Sequence, residues 1–343
     1  MECRTMKVFD ILKETLTIFY KNINFVFFTI LTSLPLFCFL IYYETFLQKF
    51  LFQCIENLPL LERTSYIPLY YDPYYGQYYD PWSLPVDIVR NLNKYHFNEL
   101  IQMGFLYLVP LHLLELFSLL VTVDLSSKIY REDKALTFMD MLHLRIDKAR
   151  TGATVITFLY VVFLSTCTLL AFIWLLITYS AVLMIPTPES EIVLYNSVGM
   201  SSLGFDLFDH LLYGSNLFLQ VIIYLPWCAI WNLGLVISIL EGTCGLKALG
   251  SAVYLSLKSL VNGVSLVIIF TIWELGLRAL CLYFGSYKTW LGIVGQISLL
   301  CLGNALKWVS FVVYFQDCVR RVSRKKTDQE QNVDMRESKA MFV

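Results

Sequence analysis

Gly152-Ala-Thr-Val-Ile-Thr-Phe-Leu-Tyr-Val-Val-Phe-Leu-Ser-Thr-Cys-Thr-Leu-Leu-Ala-Phe-Ile-Trp-Leu-Leu-Ile-Thr-Tyr-Ser-Ala-Val-Leu-Met-Ile185 runs for 34 residues without one charged side chain. A stretch this long and apolar reads as a membrane helix, since about 20 such residues cross a hydrocarbon core of about 30 Å. As one helix it would reach about 51 Å, too long even with a steep tilt, whereas two spans would need about 40 residues plus a turn. The reading is therefore one helix whose far end projects past the bilayer and stops near Pro186 and Pro188. Five further segments outward from it qualify: Asn24 to Tyr43, Met103 to Val123, Leu211 to Leu240 with a kink at Pro226, Leu260 to Phe284, and Trp290 to Phe315. The fold class expected is all-α, a polytopic transmembrane helical bundle of six spans.

Composition agrees. Of 343 residues, 57% are apolar and 15% charged, against roughly 45–50% and 25% in soluble proteins. The formal net charge of −1 decides nothing; the placement of the charges does. Lys and Arg fall nineteen to five between alternate inter-span segments, and the positive-inside rule then puts both termini in the cytosol. Residues 44–102 become an outside loop, and 320–343 a disordered basic cytosolic tail. No short apolar core with a small-residue cleavage site precedes the first span, so that span is expected to stay. Of the nine cysteines, only Cys54 falls in an outside segment, which leaves no outside disulfide framework. Cys3 and Cys318 read as cytosolic thiols near the membrane, where palmitoylation is the alternative. Endoplasmic reticulum and plasma membrane both remain open, and no feature points to nucleic acid.

Each odd-numbered span is preceded by a cytosolic stretch with helical spacing of apolar residues. The first sets Val8, Ile11, Leu12, Leu16 and Phe19 on one face with Lys13, Glu14 and Lys21 elsewhere, which suits a helix in the headgroup layer. The second runs from Ala135 to Lys148, and the third from Gly245 to Leu260. Lys-Ala-Leu recurs at 134–136 and 247–249, and the spacing suggests a threefold plan of cytosolic amphipathic helix plus two-span hairpin.

The stretch Ile237-Ser-Ile-Leu-Glu-Gly-Thr-Cys-Gly-Leu-Lys-Ala-Leu-Gly-Ser-Ala-Val-Tyr-Leu-Ser-Leu-Lys-Ser-Leu-Val-Asn-Gly263 resembles a multi-pass pattern carried by Glu241, Gly245, Ala248, Leu249, Ser251 and Gly263. It is similar to a plant family of uncharacterised integral membrane proteins, and more distantly to the membrane domain attached to some bacterial glycerophosphodiester phosphodiesterases. Lys128 to Phe138 resembles that family's second cytosolic helix, and Phe311 to Val319 its last span. Where the family's third helix has a charged run, Ala252 to Leu257 is almost neutral. The resemblance implies a fold and no activity. The longest soluble segment, 59 residues, cannot hold the (β/α) barrel of about 250 residues that the phosphodiesterase reaction uses.

The outside segment carries seven tyrosines between Tyr66 and Tyr79, which suits a loop folded back on the headgroups or, alternatively, an aromatic partner surface. Inside the membrane, Glu274 and Arg278 stand four apart on one face, where they can pair. Each ionised group costs about 2.5–3.5 kcal/mol at mid-span, so the pair should face other helices or a wet cavity. His112 and Glu115 share a face behind Pro110 in the same way. A catalytic metal site needs about three protein ligands, and the other histidines, His96, His143 and His210, all fall in loops; no metal or other cofactor is expected. Lys307 reads as snorkelling to the cytosolic end of the last span. Arg320, Arg321, Arg324, Lys325 and Lys326 form a basic cluster that fixes topology and is a candidate contact for anionic lipid.

There is no His-Glu-x-x-His, no Gly-x-Ser-x-Gly and no phosphate loop. The function expected is that of a non-enzymatic membrane organiser, binding lipids or other membrane proteins through its cytosolic amphipathic helices. The alternative is a small-solute transporter or channel using Glu274, Arg278, His112 and Glu115.

Overall fold

A computed structural model describes residues 6–65, 98–99, 101–132, 139, 141, 148–183, 202–257, 259–283 and 289–341. Among them every regular element is a helix. The α-helices are α1 (Val8–Lys21), α2 (Ile23–Ser65), α3 (His112–Glu132), α4 (Lys148–Leu183), α5 (Ser202–Glu241), α6 (Leu246–Ser256), α7 (Leu260–Tyr283) and α8 (Trp290–Met341), and a π-helical turn, Tyr107–Leu111, leads into α3. Six helical stretches are long and apolar enough to cross a membrane: Ile23–Phe50, Ile101–Arg131, Arg150–Leu176, Gly214–Glu241, Leu260–Cys281 and Trp290–Arg324. This is a multi-pass membrane protein. The long third block is one helix, α4, and Pro226 lies inside α5. The tyrosine-rich segment, most of the second cytosolic helix, His96 and His143 lie outside the described residues, as does the side chain of His210.

The chain divides into two compact units, Met1–Tyr42 with Pro110–Val162 and Leu225–Val343, and Tyr43–Val109 with Phe163–Tyr224. In the second, the Gln220 amide donates to the Thr168 carbonyl at 3.4 Å, linking α4 to α5. The first contains the buried core.

Helix α8 is the axis of that core, packing against α7, α3, α1 and α6. From Trp308 to Cys318 it is buried on every side, as a helix apolar all round must be when protein surrounds it. Bundle helices gain little from apolar contact alone, because lipid is equally apolar; small residues and hydrogen bonds hold them together. The α7–α8 hairpin shows both. Trp273 fits over Gly303 and donates to the Leu299 carbonyl at 3.2 Å. Tyr314 fits over Gly263 and donates to the Ser259 carbonyl at 3.0 Å, and Cys318 Sγ lies 3.3 Å from Ser259 Oγ.

Three expectations need correction. Helix α1 buries Ile11, Thr15 and Ile18, not a face that includes Leu16, which is exposed. The deciding contact is polar: Thr15 Oγ1 donates to Ser310 Oγ at 3.2 Å, in the middle of α8. Residues 44–65 are not loop but the continuation of α2, whose 43 residues make about 65 Å of helix. The tail is not disordered either: α8 continues unbroken to Met341. No Gly or Pro follows Gly303, and the residues beyond the span are mostly helix formers spaced to pair at i,i+4.

Candidate functional site

The intramembrane polar residues that read as two separate pairs plus a lone lysine come together. Glu115 stands one turn after His112 on α3, and His112 Nδ1 lies 3.3 Å from its Oε2. The Phe158 ring, from α4, stands nearly perpendicular to the imidazole with centroids 6.0 Å apart. On α7, Glu274 reaches across to α8, where Lys307 Nζ is 3.8 Å from its Oε1. Lys307 also lies over the Trp308 ring, 4.9 Å from the centroid. The charges of Lys307 and Arg278 are both close enough to act on the Glu115 carboxylate. Two acids, two bases and an imidazole from three helices thus form one cluster, neutral overall when His112 is uncharged.

Lys307 is the residue that the sequence reading misplaces. It does not snorkel to the membrane edge but turns sideways to Glu274. At 3.8 Å and an effective dielectric constant of about 20, the attraction is about 4 kcal/mol. That offsets part of a desolvation cost of several kcal/mol per ion, and the rest is reduced because neither side chain is fully buried. Glu274 lies 14 residues into α7, about 21 Å along the helix, hence inside the span. The sequence did hold a signal: Lys307 is the one basic residue between Trp290 and Phe315, and an uncompensated lysine there needs a partner.

The family-like motif residues have packing roles. Gly245 has φ +57° and Gly242 φ +71°, a backbone region in which other residues are strained, and together they turn the chain from α5 into α6. The Gly245 N–H donates to Thr157 Oγ1 at 2.8 Å, and Thr157 and Ser238 hydroxyls lie 3.0 Å apart. Ala248 and Leu249 are buried, Leu249 against Gly234. Glu241 is exposed and Ser251 half-buried.

Two of the five basic tail residues are engaged within the protein. Arg321 pairs with Asp317, both side chains almost buried. Arg320 donates to Tyr130 Oη at 3.1 Å and lies over that ring. Arg324 is exposed, and the side chains of Lys325 and Lys326 lie outside the described set. Among the described residues no three of His, Cys, Asp and Glu come together in a way that could hold a metal ion.

Compared with known proteins, the chain matches no family model, no curated protein and no solved structure.

Proposed function

We propose that this protein performs no reaction of its own and organises lipids or other membrane proteins through helix α1, at the end of the bundle that carries both termini, with that end in the cytosol. One observation carries the reading. Opposite the stripe that α1 buries in the bundle, a second stripe, Phe9, Leu16 and Tyr20, is 81%, 58% and 91% exposed. Their spacing of seven and four puts them on one face, with Lys13 between them. Asp10, Glu14, Thr17 and Lys21 occupy a flank between the two stripes. A helix apolar on two opposite faces and polar on one flank suits a position at the headgroup boundary, held by protein on one side and offered to acyl chains or a partner helix on the other. Arg324, with Lys325 and Lys326, would add anionic lipid by charge.

The test is the triple change Phe9→Ser, Leu16→Ser, Tyr20→Ser. Proximity labelling in the native cell should lose the neighbours of the wild-type chain several-fold while the purified bundle keeps its melting temperature. An unchanged set of neighbours would refute the reading.

A second reading, small-solute transport, has one observation in its favour: His112, Glu115, Glu274 and Arg278 converge with Lys307. Cysteines at the first four positions that all resist a membrane-impermeant thiol reagent would remove it.

A further inference from the structure

We infer that α6 is a second membrane-embedded helix matching α1, and that the two form a pair of shallow wedges in one leaflet, covered by phospholipid acyl chains and responsive to their packing. For α1 this rests on the reading above and commits it to lipid rather than to a partner helix.

Helix α6 repeats the plan of α1. It buries Ala248, Leu249, Ala252 and Ser256, while Leu246, Tyr254 and Leu257 are 69%, 65% and 67% exposed. Successive spacings of eight and three put these three on one face, with the exposed Gly250 between the first two, turned away from the buried residues. Lys247 and Ser251 occupy a flank between the faces. Like α1, α6 is apolar on two sides and polar on the edge between them.

Both helices belong to the same end of the bundle. Each packs against α8, and Asn262, in the first turn of α7, donates to the Met6 carbonyl just ahead of α1 at 2.9 Å. Each also leads into a span with almost no linker: Asn22 alone separates α1 from α2, and three residues separate α6 from α7. Asn22 is buried, and its amide donates to the Ile18 carbonyl at 3.2 Å, which fixes the elbow.

The occupant follows from continuity. The spans of α2 and α7 begin at Ile23 and Leu260, and the exposed apolar residues of their opening turns, Ile23, Phe27 and Val261, meet acyl chains. Tyr20 stands three residues before Ile23, and Leu257 four before Val261, so each exposed stripe runs into a lipid-facing surface within about one helical turn. Each stripe carries a tyrosine, whose apolar ring and polar tip suit the headgroup level. Lys13, Lys21 and Lys247 are exposed beside the stripes, and their long stems let the ammonium groups stay in water.

Helices that insert this shallowly bind according to curvature and lipid composition, because loosely packed or convex leaflets offer gaps to their apolar residues. Two such helices on one bundle, in one leaflet, make the protein a reader of lipid packing. No protein partner is needed for this.

The experiment places a photoreactive benzophenone amino acid at Tyr20, or at Tyr254, of the full chain in its native membrane. Ile272, exposed within the span of α7, is the lipid-facing control. Photolysis should give adducts of one phospholipid mass at all three positions by mass spectrometry. Crosslinks from Tyr20 or Tyr254 to protein in place of lipid, whether to a second copy of this chain or to another membrane protein, overturn the proposal but not the organiser reading, which admits a partner helix. In a second measurement the full chain is reconstituted in giant vesicles with both termini outward, and thin tethers are drawn from them. The chain should be several-fold denser in the tether than in the vesicle, and the triple change Leu246→Ser, Tyr254→Ser, Leu257→Ser should abolish the difference while keeping the melting temperature. Equal densities for the wild-type chain overturn the proposal, even should the variant fail to fold. Lipid adducts and tether enrichment, combined with unchanged neighbours in the triple α1 variant above, would reject the organiser reading and leave this one standing.

Discussion

Replacing Gly303 by Ala tests the packing of the α7–α8 hairpin at its tightest point. A Cβ built on Gly303 would lie 2.5 Å from Trp273 Nε1 and 2.7 Å from Cδ1. Ordinary carbon contact begins at about 3.5 Å, so the helices must part by about an ångström or the indole must leave its place. The indole is rigid and donates to the Leu299 carbonyl, so moving it sacrifices that bond. Overpacking costs about 1–3 kcal/mol, and an interhelical hydrogen bond in a membrane bundle about 0.6 kcal/mol. Ala returns about 0.5–1 kcal/mol of helix stability over Gly, leaving a net loss of about 0.5–3 kcal/mol. Gly276, on α7, and Gly295, on α8, are internal controls, because a Cβ at either meets nothing within 4 Å. Melting in detergent, followed by tryptophan fluorescence, should fall by about 1–12 °C for G303A and rise slightly for G276A and G295A, at about 2–4 °C per kcal/mol. The double variant with Trp273→Phe, which removes Nε1, should lose less than the two single changes together. Equal melting temperatures for G303A and G276A would show that the hairpin is not packed this way.

Other changes probe the remaining contacts. Glu274→Gln and Lys307→Met should each destabilise the bundle, while the double change recovers most of the loss with a coupling of about 1–3 kcal/mol; additive losses in the melting temperatures would mean that the two charges do not meet. Gly245→Ala should cost about 1–3 kcal/mol, because φ is +57° there and Tyr160, at 3.4 Å, leaves ordinary room; a neutral effect on chemical unfolding would rule out the tight turn into α6. Arg321→Ala strips Asp317 of its partner near the core and should cost about 3–5 kcal/mol, whereas Arg324→Ala should leave melting unchanged. The reverse order would assign Arg321 to lipid rather than to the fold.

The spans were legible because insertion is decided by composition over about 20 residues, a property of the sequence itself. What the spans do to one another was not. Glu274 and Arg278 read as a pair because i,i+4 geometry is visible along one helix, whereas the ion pair of Glu274 with Lys307 joins residues 33 apart on neighbouring helices. On α1, hydrophobicity alone could not tell the stripe that meets protein from the stripe that meets lipid, since both are apolar. Thr15, a hydroxyl on the buried stripe, marks the difference. Residues 320–341 read as disordered because they are polar, but polarity argues against a core, not against a helix with a long span to grow from.

One pattern joins these points. On α8, Gly303, Lys307, Ser310, Tyr314, Cys318 and Arg321 recur at spacings of three and four, which places them along a single face. Each is small or polar, and all six meet a partner: Trp273, Glu274, Thr15, Ser259 for both Tyr314 and Cys318, and Asp317, the last on α8 itself. Hydropathy averages this seam away, because its members are too few to alter a 20-residue mean. In a bilayer, however, the alternative to a helix partner is lipid, so apolar residues do not choose between them, and the choice falls to whatever lipid cannot satisfy. A face of small and polar residues at helical spacing inside an apolar span is therefore where the partner helix docks. By that rule α8 announces itself as the axis of the bundle, and Lys307, one turn before Ser310 on the seam, ties the charge cluster to the same helix face that holds α1.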